Sequence, residues 1–260
     1  MRVYPAKSLR LTMPAARVNV QHDIINIVNI TLFIPAKNER AGMKAIMPLV
    51  NADLFCQILV VDGNSKDGTA EYARELGYEV YVQKKSGIRN AYIEAWPLIK
   101  GSHVITFSPV GNSDPADLPA LCKKMQEGYD MVIASRYAPG AGSSDDDVIT
   151  GFGNWLFNRT VNLLHHARFT DCMVIYRGYR TNLFYELDLD KEETYVTEKL
   201  FFTVMGCEPI ISVRAAKRKL NITEIPSHEP PRIGGERKLQ VIRWGGAYFL
   251  QFFREIFFWR

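Results

Sequence analysis

The sequence predicts an α/β protein with a mixed, mainly parallel sheet flanked by helices. Three observations predict this class: short apolar segments rich in β-branched residues recur along the first half of the chain, amphipathic segments separate them, and polar or glycine-rich turns follow several of them. The chain has 260 residues, of which 47% are hydrophobic, so a sizeable core is expected. Ligands of such sheets bind at the carboxyl ends of the strands, where the strand order reverses.

The predicted elements alternate in chain order. Buried strands are expected where apolar residues run without interruption, at 24–36, 57–62, 78–83, 103–107 and 130–135. Helices are expected between them, at 39–50, 69–76, 88–99 and 117–127. Beyond Tyr137 the pattern changes: a Gly/Ser/Asp-rich loop is expected at 138–147, followed by helices around 151–166 and 192–205.

The last twenty residues differ in composition from the rest. Residues 241–260 hold eight aromatic side chains interleaved with Arg243, Arg254 and Arg260, and their spacing predicts an amphipathic helix. A basic, aromatic helix suits the interface of an acidic bilayer, while the alternatives are packing on the domain or a homodimer contact. We therefore divide the chain into an N-terminal extension at 1–23, one domain at 24–240 and the segment 241–260.

Charge and cysteine content exclude several classes of protein. The net charge is +4, but residues 211–260 carry ten Lys or Arg against four acids, so the basic excess is confined to the C-terminal segment. A nucleic-acid-binding protein needs a broader basic surface, and we expect no nucleic-acid partner. The four cysteines form no CxxC pair, which argues against a zinc site or disulfides and favours a reducing cytoplasm. No apolar run is long enough to predict a transmembrane helix.

Two polar segments follow the first two predicted strands. They are IPAKNE at 34–39 and VVDGNSKDGT at 60–69. An acid at a strand end can accept hydrogen bonds from a nucleobase or ribose, and glycine-rich turns let a ligand approach the backbone. Asp62 lies just past a buried strand, in the expected crevice, and is interpreted as a ligand-binding residue. Asp67 is interpreted as a cap of the turn and the following helix.

With three later segments, these motifs resemble family 2 glycosyltransferases of the GT-A fold, in particular members similar to dolichyl-phosphate mannose synthase. The usual forms in the family are P-x-x-N-E, VVDDGSxDGT, D-x-V-x-G-S-R-Y, D-x-x-S-G-F-R and E-V-P with R-x-x-G-x-S-K-L. The later segments here are DMVIASRY at 130–137, TDC with YR at 170–177, and EIP with RIGGERKL at 224–239. The resemblance spans roughly residues 30–240, in the order and at the spacing of the family.

The resemblance implies a nucleotide-activated sugar as donor. The residues implied to bind it are Pro35, Lys37, Glu39, Asp62, Asn64, Arg89 and Arg136. Among them Asp62 would contact the base and Arg89 would lie near the diphosphate; the alternative for Arg89 is a surface arginine. Arg232 and Lys238 would hold a phosphate, which a forked guanidinium and an ammonium neutralise well. The alternative for these two is a solvated basic loop.

The main departure from the family concerns its metal-binding Asp-x-Asp, which follows the fourth core strand. Pro109 and Gly111 stand at those two positions, and neither side chain can ligate a metal. Mg²⁺ or Mn²⁺ would need the remaining oxygen donors, Asn112, Ser113 and Asp114. The alternative is that basic side chains offset the charge of the leaving diphosphate. The candidates are Arg89, Arg136, Arg177, Arg232 and Lys238.

The acceptor decides which catalytic groups are needed. The resemblance implies direct displacement with inversion, and a hydroxyl acceptor would then require a general base. Glu198 and Asp171 are the candidate bases, and Arg177 completes the predicted catalytic set. A phosphate acceptor is already ionised and needs no base. The alternative for Glu198 is an ion pair with a neighbouring arginine.

These expectations combine into one predicted function with two alternatives. We expect transfer of a sugar from a nucleotide sugar to a polyprenyl phosphate or another membrane-linked acceptor, by a protein peripheral to the cytoplasmic face of a membrane. The first alternative is transfer to a soluble glycan or a small-molecule hydroxyl. The second is a non-catalytic homologue that binds nucleotide sugars, which the missing Asp-x-Asp motivates. A nucleotidyltransferase is disfavoured, because no G-x-G-x-R segment follows the first predicted strand.

Overall fold

A seven-stranded sheet forms the centre of the molecule. The computed structural model describes residues 28–233 and 241–259, so the extension predicted at 1–23 lies outside the described residues. The strands are β1 (Ile30–Ala36), β2 (Gln57–Asp62), β3 (Glu79–Val82), β4 (His103–Thr106), β5 (Met131–Ser135), β7 (Arg177–Arg180) and β8 (Ile222–Pro226). Their order is β3-β2-β1-β4-β7-β5-β8, and β7 runs antiparallel to both of its neighbours while the other pairs are parallel. The predicted mixed, mainly parallel sheet is confirmed.

Helices flank this sheet. They are α1 (Arg40–Ile46), α2 (Thr69–Glu75), α3 (Ile88–Ala95), α4 (Leu118–Gln126), α5 (Val148–His165), α6 (Leu183–Glu186), α7 (Glu198–Phe201), α8 (Glu208–Lys217) and α9 (Val241–Phe258). Two short strands, β6 (Gly142–Ser143) and β9 (His228–Glu229), pair with each other outside the main sheet. The core comprises the apolar residues of β1, β2, β4 and β5 together with the inner faces of the helices.

The strand order creates the crevice that the sequence predicts. From β1 the chain adds β2 and then β3 towards one edge of the sheet, and it returns to place β4 on the other side of β1. The loops that follow β1 and β4 therefore diverge to opposite faces, and the carboxyl ends of β1, β2 and β4 border an open space.

The prediction of a helix over 192–205 is wrong. The chain instead forms a single 3-10 turn at Glu192–Tyr195 and the one-turn helix α7, which ends at Phe202 in a left-handed backbone conformation (φ 49°). The long helix of this region is α8, and Pro209 lies in its first turn. A proline has no N–H to contribute to a helix interior and disfavours a helical residue before it, so it marks a start rather than a continuation.

The C-terminal helix α9 packs on the domain. It contacts α5, α7 and α8. Its inner face buries Ala247 and Phe252, and it also buries Glu255, whose carboxylate accepts from the Nε and Nη2 of Arg214 at 2.9 Å each. Packing against the domain, one of the two alternatives to membrane contact, thus describes the inner face of this helix. No described helix is long and apolar enough to cross a membrane.

Candidate active site

A cleft of about 900 Å³ opens at the carboxyl ends of β1 and β2. Pro35, Lys37 and Glu39 line it, as does Gly63 at the end of β2. Three of the residues predicted to contact the nucleotide therefore lie together in one cavity. Its volume is within the range of natural ligand sites, about 300–1,000 Å³.

Asp62 is the last residue of β2 and is buried beside this cleft, next to Gly63. Its Oδ2 accepts a hydrogen bond from the Ser65 amide at 3.0 Å. Its Oδ1 is also buried but has no hydrogen-bond partner among the described residues. Because an unpaired buried acceptor costs roughly 1–3 kcal/mol, such an atom at the edge of a cleft suggests a contact that a ligand completes.

The two polar segments hold each other by side-chain-to-backbone bonds. The Asn38 amide donates to the Ser65 hydroxyl, and the Asn38 side chain accepts from the Lys66 amide, both at 2.8 Å. Asp67 accepts from the amides of Arg40 and Thr69, at the starts of α1 and α2, each at 3.0 Å. Burial raises the pKa of Asp67, but its hydrogen bonds, above all from Thr69, outweigh that effect and hold the pKa below its usual value. Asp67 thus makes the capping contacts that the sequence predicts.

Asn64 adopts a left-handed backbone conformation (φ 60°), which asparagine tolerates better than most residues. Its side-chain amide donates to the carbonyl of Gln83 at 2.7 Å and so ties the turn after β2 to the end of β3. Asn64, which was predicted to bind the nucleotide, thus holds Gln83, a residue that lines the cleft.

The loop after β4 packs tightly where the family places its metal ligands. A Cβ on Gly42 of α1 would lie 2.5 Å from the carbonyl oxygen of Pro109, so the loop and the helix approach closely. The Asn112 side chain donates to Glu229 at 3.1 Å, and Asp114 accepts from the Ala116 amide at 2.9 Å as the cap of a 3-10 turn. Ser113 is buried.

The described residues do not fit a divalent metal at this position. They contain no group of three or more His, Cys, Asp or Glu side chains arranged to hold one. Of the three predicted ligands, Asp114 alone is a carboxylate, and one of its oxygens already serves the cap. The Oδ1 of Asn112 is buried without a partner among the described residues, but one amide oxygen does not make a Mg²⁺ or Mn²⁺ site.

Arg136 lies at the centre of an acidic cluster. Its Nε and Nη2 donate to Asp171 at 2.7 and 3.1 Å, and its Nη1 donates to Glu229 at 3.4 Å and lies 4.0 Å from Asp146. Burial lowers the pKa of Arg136, but Asp171 and Glu229 outweigh it and hold the pKa above its usual value. Burial raises the pKa of Glu229 although Arg136 lies beside it. The sequence analysis missed Glu229 and Asp146, since no local pattern distinguishes them from surface acids.

Asp171 and Arg177 are both fully buried. Besides Arg136, Asp171 accepts from the amides of Met173 and Val174 at 3.2 Å each, so both of its oxygens have partners. Arg177 donates to the carbonyls of Cys172, Val174 and Glu208 and to the hydroxyl of Ser212. Both side chains hold the segment between α5 and β7 in place.

Arg89 and Glu198 form a two-bonded ion pair across 109 residues of sequence. Arg89 Nη2 donates to Glu198 Oε1 at 2.8 Å, Nη1 donates to Oε2, and the guanidinium lies 4.2 Å from the centre of the Tyr195 ring. Burial lowers the pKa of Arg89, but Glu198 outweighs it and the pKa is raised. The carboxylate also accepts from the Met205 amide at 3.0 Å. The ion pair that the sequence analysis kept as an alternative for Glu198 is present.

A second cavity of about 380 Å³ lies between the acidic cluster and the C-terminal helix. Arg136, Glu229 and Asn112 line one side of it, and residues of α5 and α9 line the other. Arg232 borders both this cavity and the nucleotide cleft. Arg232 also lies 3.9 Å from Asp145. Its predicted partner in phosphate binding, Lys238, lies outside the described residues.

The cleft lies at the switch point of a mixed sheet, where α/β proteins commonly bind ligands, and a second cavity lies beside it. The sequence profile described as glycosyl transferase family 2 matches residues 31–188, more than half of the chain. Glycosyltransferase AglJ from Haloferax volcanii is 30% identical over 231 residues, which cover 87% of this chain and 71% of that protein. The chain belongs to glycosyl transferase family 2 and is a glycosyltransferase.

Two further proteins extend the comparison. Polyprenol monophosphomannose synthase from Mycolicibacterium smegmatis is 30% identical over 178 residues, 61% of this chain and 64% of that protein. The crystal structure of glucosyl-3-phosphoglycerate synthase from Mycobacterium tuberculosis, in complex with Mn²⁺, UDP and glucosyl-3-phosphoglycerate, aligns with a TM-score of 0.58 at 17% identity, over 88% of this chain and 80% of that chain. At that identity the structural likeness shows the fold, which is the GT-A type that the resemblance implied.

Proposed function

We propose that this glycosyltransferase transfers a sugar from a nucleotide sugar to a phosphate acceptor carried on an isoprenoid lipid. The donor would occupy the cleft beside β1 and β2. The unpaired Oδ1 of Asp62 supports this placement, because a nucleobase N–H or a ribose hydroxyl would satisfy it. The structural neighbour described above was crystallised with UDP, which lends support to a nucleotide in the equivalent cleft.

One observation carries the choice of acceptor: both residues predicted as general base are bound to arginines. Glu198 is bonded to Arg89 through both oxygens, and Asp171 is bonded to Arg136 in the same way. Because both oxygens of each carboxylate already accept hydrogen bonds from a guanidinium, neither carboxylate is positioned to take a proton from an acceptor hydroxyl. An ionised phosphate attacks without a base. The polyprenol monophosphomannose synthase relative supports an acceptor of this class.

The leaving diphosphate requires positive charge. Arg89, Arg136 and Arg177 are engaged by protein groups, whereas Arg232 borders both cavities and keeps its buried Nε without a partner among the described residues. We assign Arg232 the role of stabilising the developing charge, with Lys238 as a second candidate. The described residues do not fit Mn²⁺, so the proposed reaction does not assume a metal ion. Because the structural neighbour binds Mn²⁺, the assay below compares activity with and without this ion.

The acceptor's lipid would approach from α5. The outward face of this helix exposes Val148, Phe152, Trp155 and Leu163, with Arg159 among them. Phe152 and Trp155 stack with ring centres 5.7 Å apart. Ile149 is 67% exposed and also lines the second cavity, so this apolar stripe reaches the cavity mouth. A stripe of aromatic and aliphatic side chains with a cation fits the surface of an acidic bilayer.

A transfer assay tests the reaction. The full-length protein is incubated with a panel of UDP-, GDP- and dTDP-sugars and citronellyl phosphate, a short isoprenyl phosphate, with Mn²⁺ or with EDTA. We expect a glycosylated isoprenyl phosphate with one donor, in both metal conditions. Transfer to glycerol or a glycan instead would contradict the proposal that the acceptor is an isoprenyl phosphate. Nucleotide binding without turnover under any of these conditions would favour a non-catalytic protein that binds nucleotide sugars. The absence of the family's Asp-x-Asp motif supports that alternative.

Vesicle sedimentation tests the stripe on α5. The double variant Phe152→Ser with Trp155→Ser should bind vesicles of phosphatidylcholine and phosphatidylglycerol at least about tenfold more weakly, since burying an aromatic side chain contributes on the order of 1.5–3 kcal/mol. The matched control is Leu49→Ser, which removes an equally exposed apolar side chain, 67% exposed, near the end of α1. Equal sedimentation of the double variant and the wild type would refute membrane contact through α5.

A further inference from the structure

The wall that separates the two cavities contains a second unpaired donor besides Arg232. The indole Nε1 of Trp244, near the start of α9, is buried and has no hydrogen-bond partner among the described residues. Trp244 borders both the nucleotide cleft and the second cavity, as Arg232 does. Buried N–H groups without a partner are rare in folded proteins, and two that border the same two cavities point to a ligand-binding site.

The chemistry of these two atoms defines the ligand. Both are donors, so a ligand that satisfies them must present acceptor atoms, and one of the two donors belongs to a guanidinium, which favours an anion. Asp145 lies 3.9 Å from Nη2 of Arg232, a different nitrogen from the unpaired one. A phosphate oxygen meets these requirements, because it accepts several hydrogen bonds and carries negative charge.

The packing of α9 explains how Trp244 reaches this wall. A Cβ on Gly246 would clash with the ring of Phe201, so the glycine lets the start of α9 lie against α7 with this ring in its present position. Tyr248 accepts from the Gly206 amide through its hydroxyl at 2.8 Å, and the ion pair of Arg214 with Glu255 anchors the next two turns. The indole is thereby held in place before any ligand arrives.

We infer that Trp244 is a phosphate-binding residue of the active site, whose Nε1–H donates to a phosphate oxygen at the junction of the two cavities, beside Arg232. This inference rests on the proposed function, since the phosphate belongs either to the nucleotide diphosphate or to the acceptor. It gives the C-terminal helix a direct part in substrate binding, separate from any contact with a membrane.

The indole N–H itself reports the contact. In ¹H–¹⁵N spectra of the ¹⁵N-labelled full-length protein, the Trp244 indole signal is assigned by its absence in Trp244→Phe. Inorganic pyrophosphate, UDP and citronellyl phosphate are then titrated separately. We expect a downfield shift of the Trp244 indole proton. A shift with pyrophosphate and UDP assigns the contact to the donor's diphosphate, and a shift with citronellyl phosphate assigns it to the acceptor.

Affinity provides the second measurement. Trp244→Phe keeps the ring but removes the N–H, and the ligand that moves the indole signal should bind about tenfold more weakly, the usual loss for one hydrogen bond to a charged group. The matched control is Trp259→Phe, just beyond the end of the same helix, whose Nε1 already donates to Asp188 at 2.9 Å. It should leave phosphate affinity unchanged.

The outcomes separate the inference from the proposed function. If the ligands shift backbone amides of residues 62–68 or Arg232 but leave the Trp244 indole unmoved, the inference is overturned and the proposed function stands. If none of the three ligands moves any signal, the proposed function fails and the inference fails with it. A tenfold loss of affinity in Trp259→Phe equal to that in Trp244→Phe would also overturn it.

Discussion

At the end of β2, Asp62 keeps one carboxylate oxygen without a partner, whereas in the C-terminal half Asp171 and Glu255 have both oxygens bonded to arginines. The two regions differ in what their charges do. The contacts around the nucleotide cleft are mainly side chain to backbone and leave a ligand-sized space. The C-terminal charges bind one another over sequence separations of 35 and 41 residues, and the second pair joins two helices, α8 and α9.

This difference shows that a charged residue in a family motif can either bind a ligand or stabilise the fold. Where its backbone lies at a strand end that faces an open crevice, the charge stays available to a ligand. Where the chain around it is irregular, as between α5 and β7, the same kind of residue satisfies buried carbonyls and amides and acts as structure. Four experiments test the contrast, from the largest expected effect to the smallest.

Removal of Arg214 should cost the most stability. Arg214 is 1% exposed and Glu255 is fully buried, so Arg214→Ala removes both short ionic hydrogen bonds of a buried carboxylate and leaves it Gln251 and, at 3.9 Å, Arg254. We expect the free energy of unfolding to fall by about 3–5 kcal/mol in urea titrations. As the control, Lys124→Ala breaks the exposed pair with Glu127 and should leave stability unchanged. A loss below about 1 kcal/mol for Arg214→Ala would contradict the view that buried ion pairs hold the C-terminal half.

Replacement of Asp62 should affect binding instead. Asp62→Asn keeps the shape but removes the charge from the unpaired oxygen, and UDP affinity by calorimetry should fall about 10- to 100-fold, with little change in unfolding. Asp67→Asn lies in the same segment but serves the starts of α1 and α2, so it should reduce stability and spare affinity. Identical behaviour of the two variants would remove the distinction between an available and a structural acid.

Mutation of Arg89 and Glu198 tests whether Glu198 acts as a catalytic base or as a structural ion-pair partner. Their side chains are 11% and 12% exposed, and we expect Glu198→Gln to lower stability by about 1–3 kcal/mol while kcat with a phosphate acceptor stays within a few-fold. A double-mutant cycle with Arg89→Met should show that the two losses are coupled. A large fall in kcat with stability unchanged would make Glu198 the catalytic base and favour a hydroxyl acceptor.

The smallest effect concerns pH and the contact between α5 and α9. His165 is buried and donates through Nε2 to the carbonyl of Phe252 at 3.0 Å. Burial lowers its pKa below 6.5, and burial likewise lowers the pKa of His103. The unfolded chain therefore takes up protons first as pH falls through about 6.5, so stability that is complete above this pH is lost below it.

Urea titrations between about pH 7.5 and 5 should show this loss, at about 1 kcal/mol or less. His165→Gln keeps a donor for Phe252 and should flatten part of the pH dependence. The control His166→Asn changes the exposed neighbour, whose left-handed backbone (φ 53°) asparagine accepts, and should keep the wild-type slope. Equal slopes for His165→Gln and the wild type would contradict a titrating contact between the two helices.

The local pattern of apolar and polar residues predicted most of the strands and helices in the N-terminal half of the chain and fewer of those in the C-terminal half. Uninterrupted apolar runs located β1, β2, β4 and β5, and the segments after β1 and β2 indicated the cleft, because strand ends of a parallel sheet meet at one edge. The helix expected over 192–205 was wrong, and α8 was not foreseen. Apolar residues of that region are buried in irregular chain, where periodicity carries no information.

The sequence by itself determined the family, the sheet and the place of the nucleotide cleft, because these depend on residues close together in the chain. Only the tertiary structure decided which charges remain available. It paired Arg89 with Glu198 and Arg136 with Asp171, left Asp62 and Arg232 with unpaired atoms, and brought Trp244 to the junction of the two cavities. The physical reason is that a charged side chain is neutralised by whichever opposite charge folding places within about 4 Å, however distant in sequence, and no local pattern records that distance.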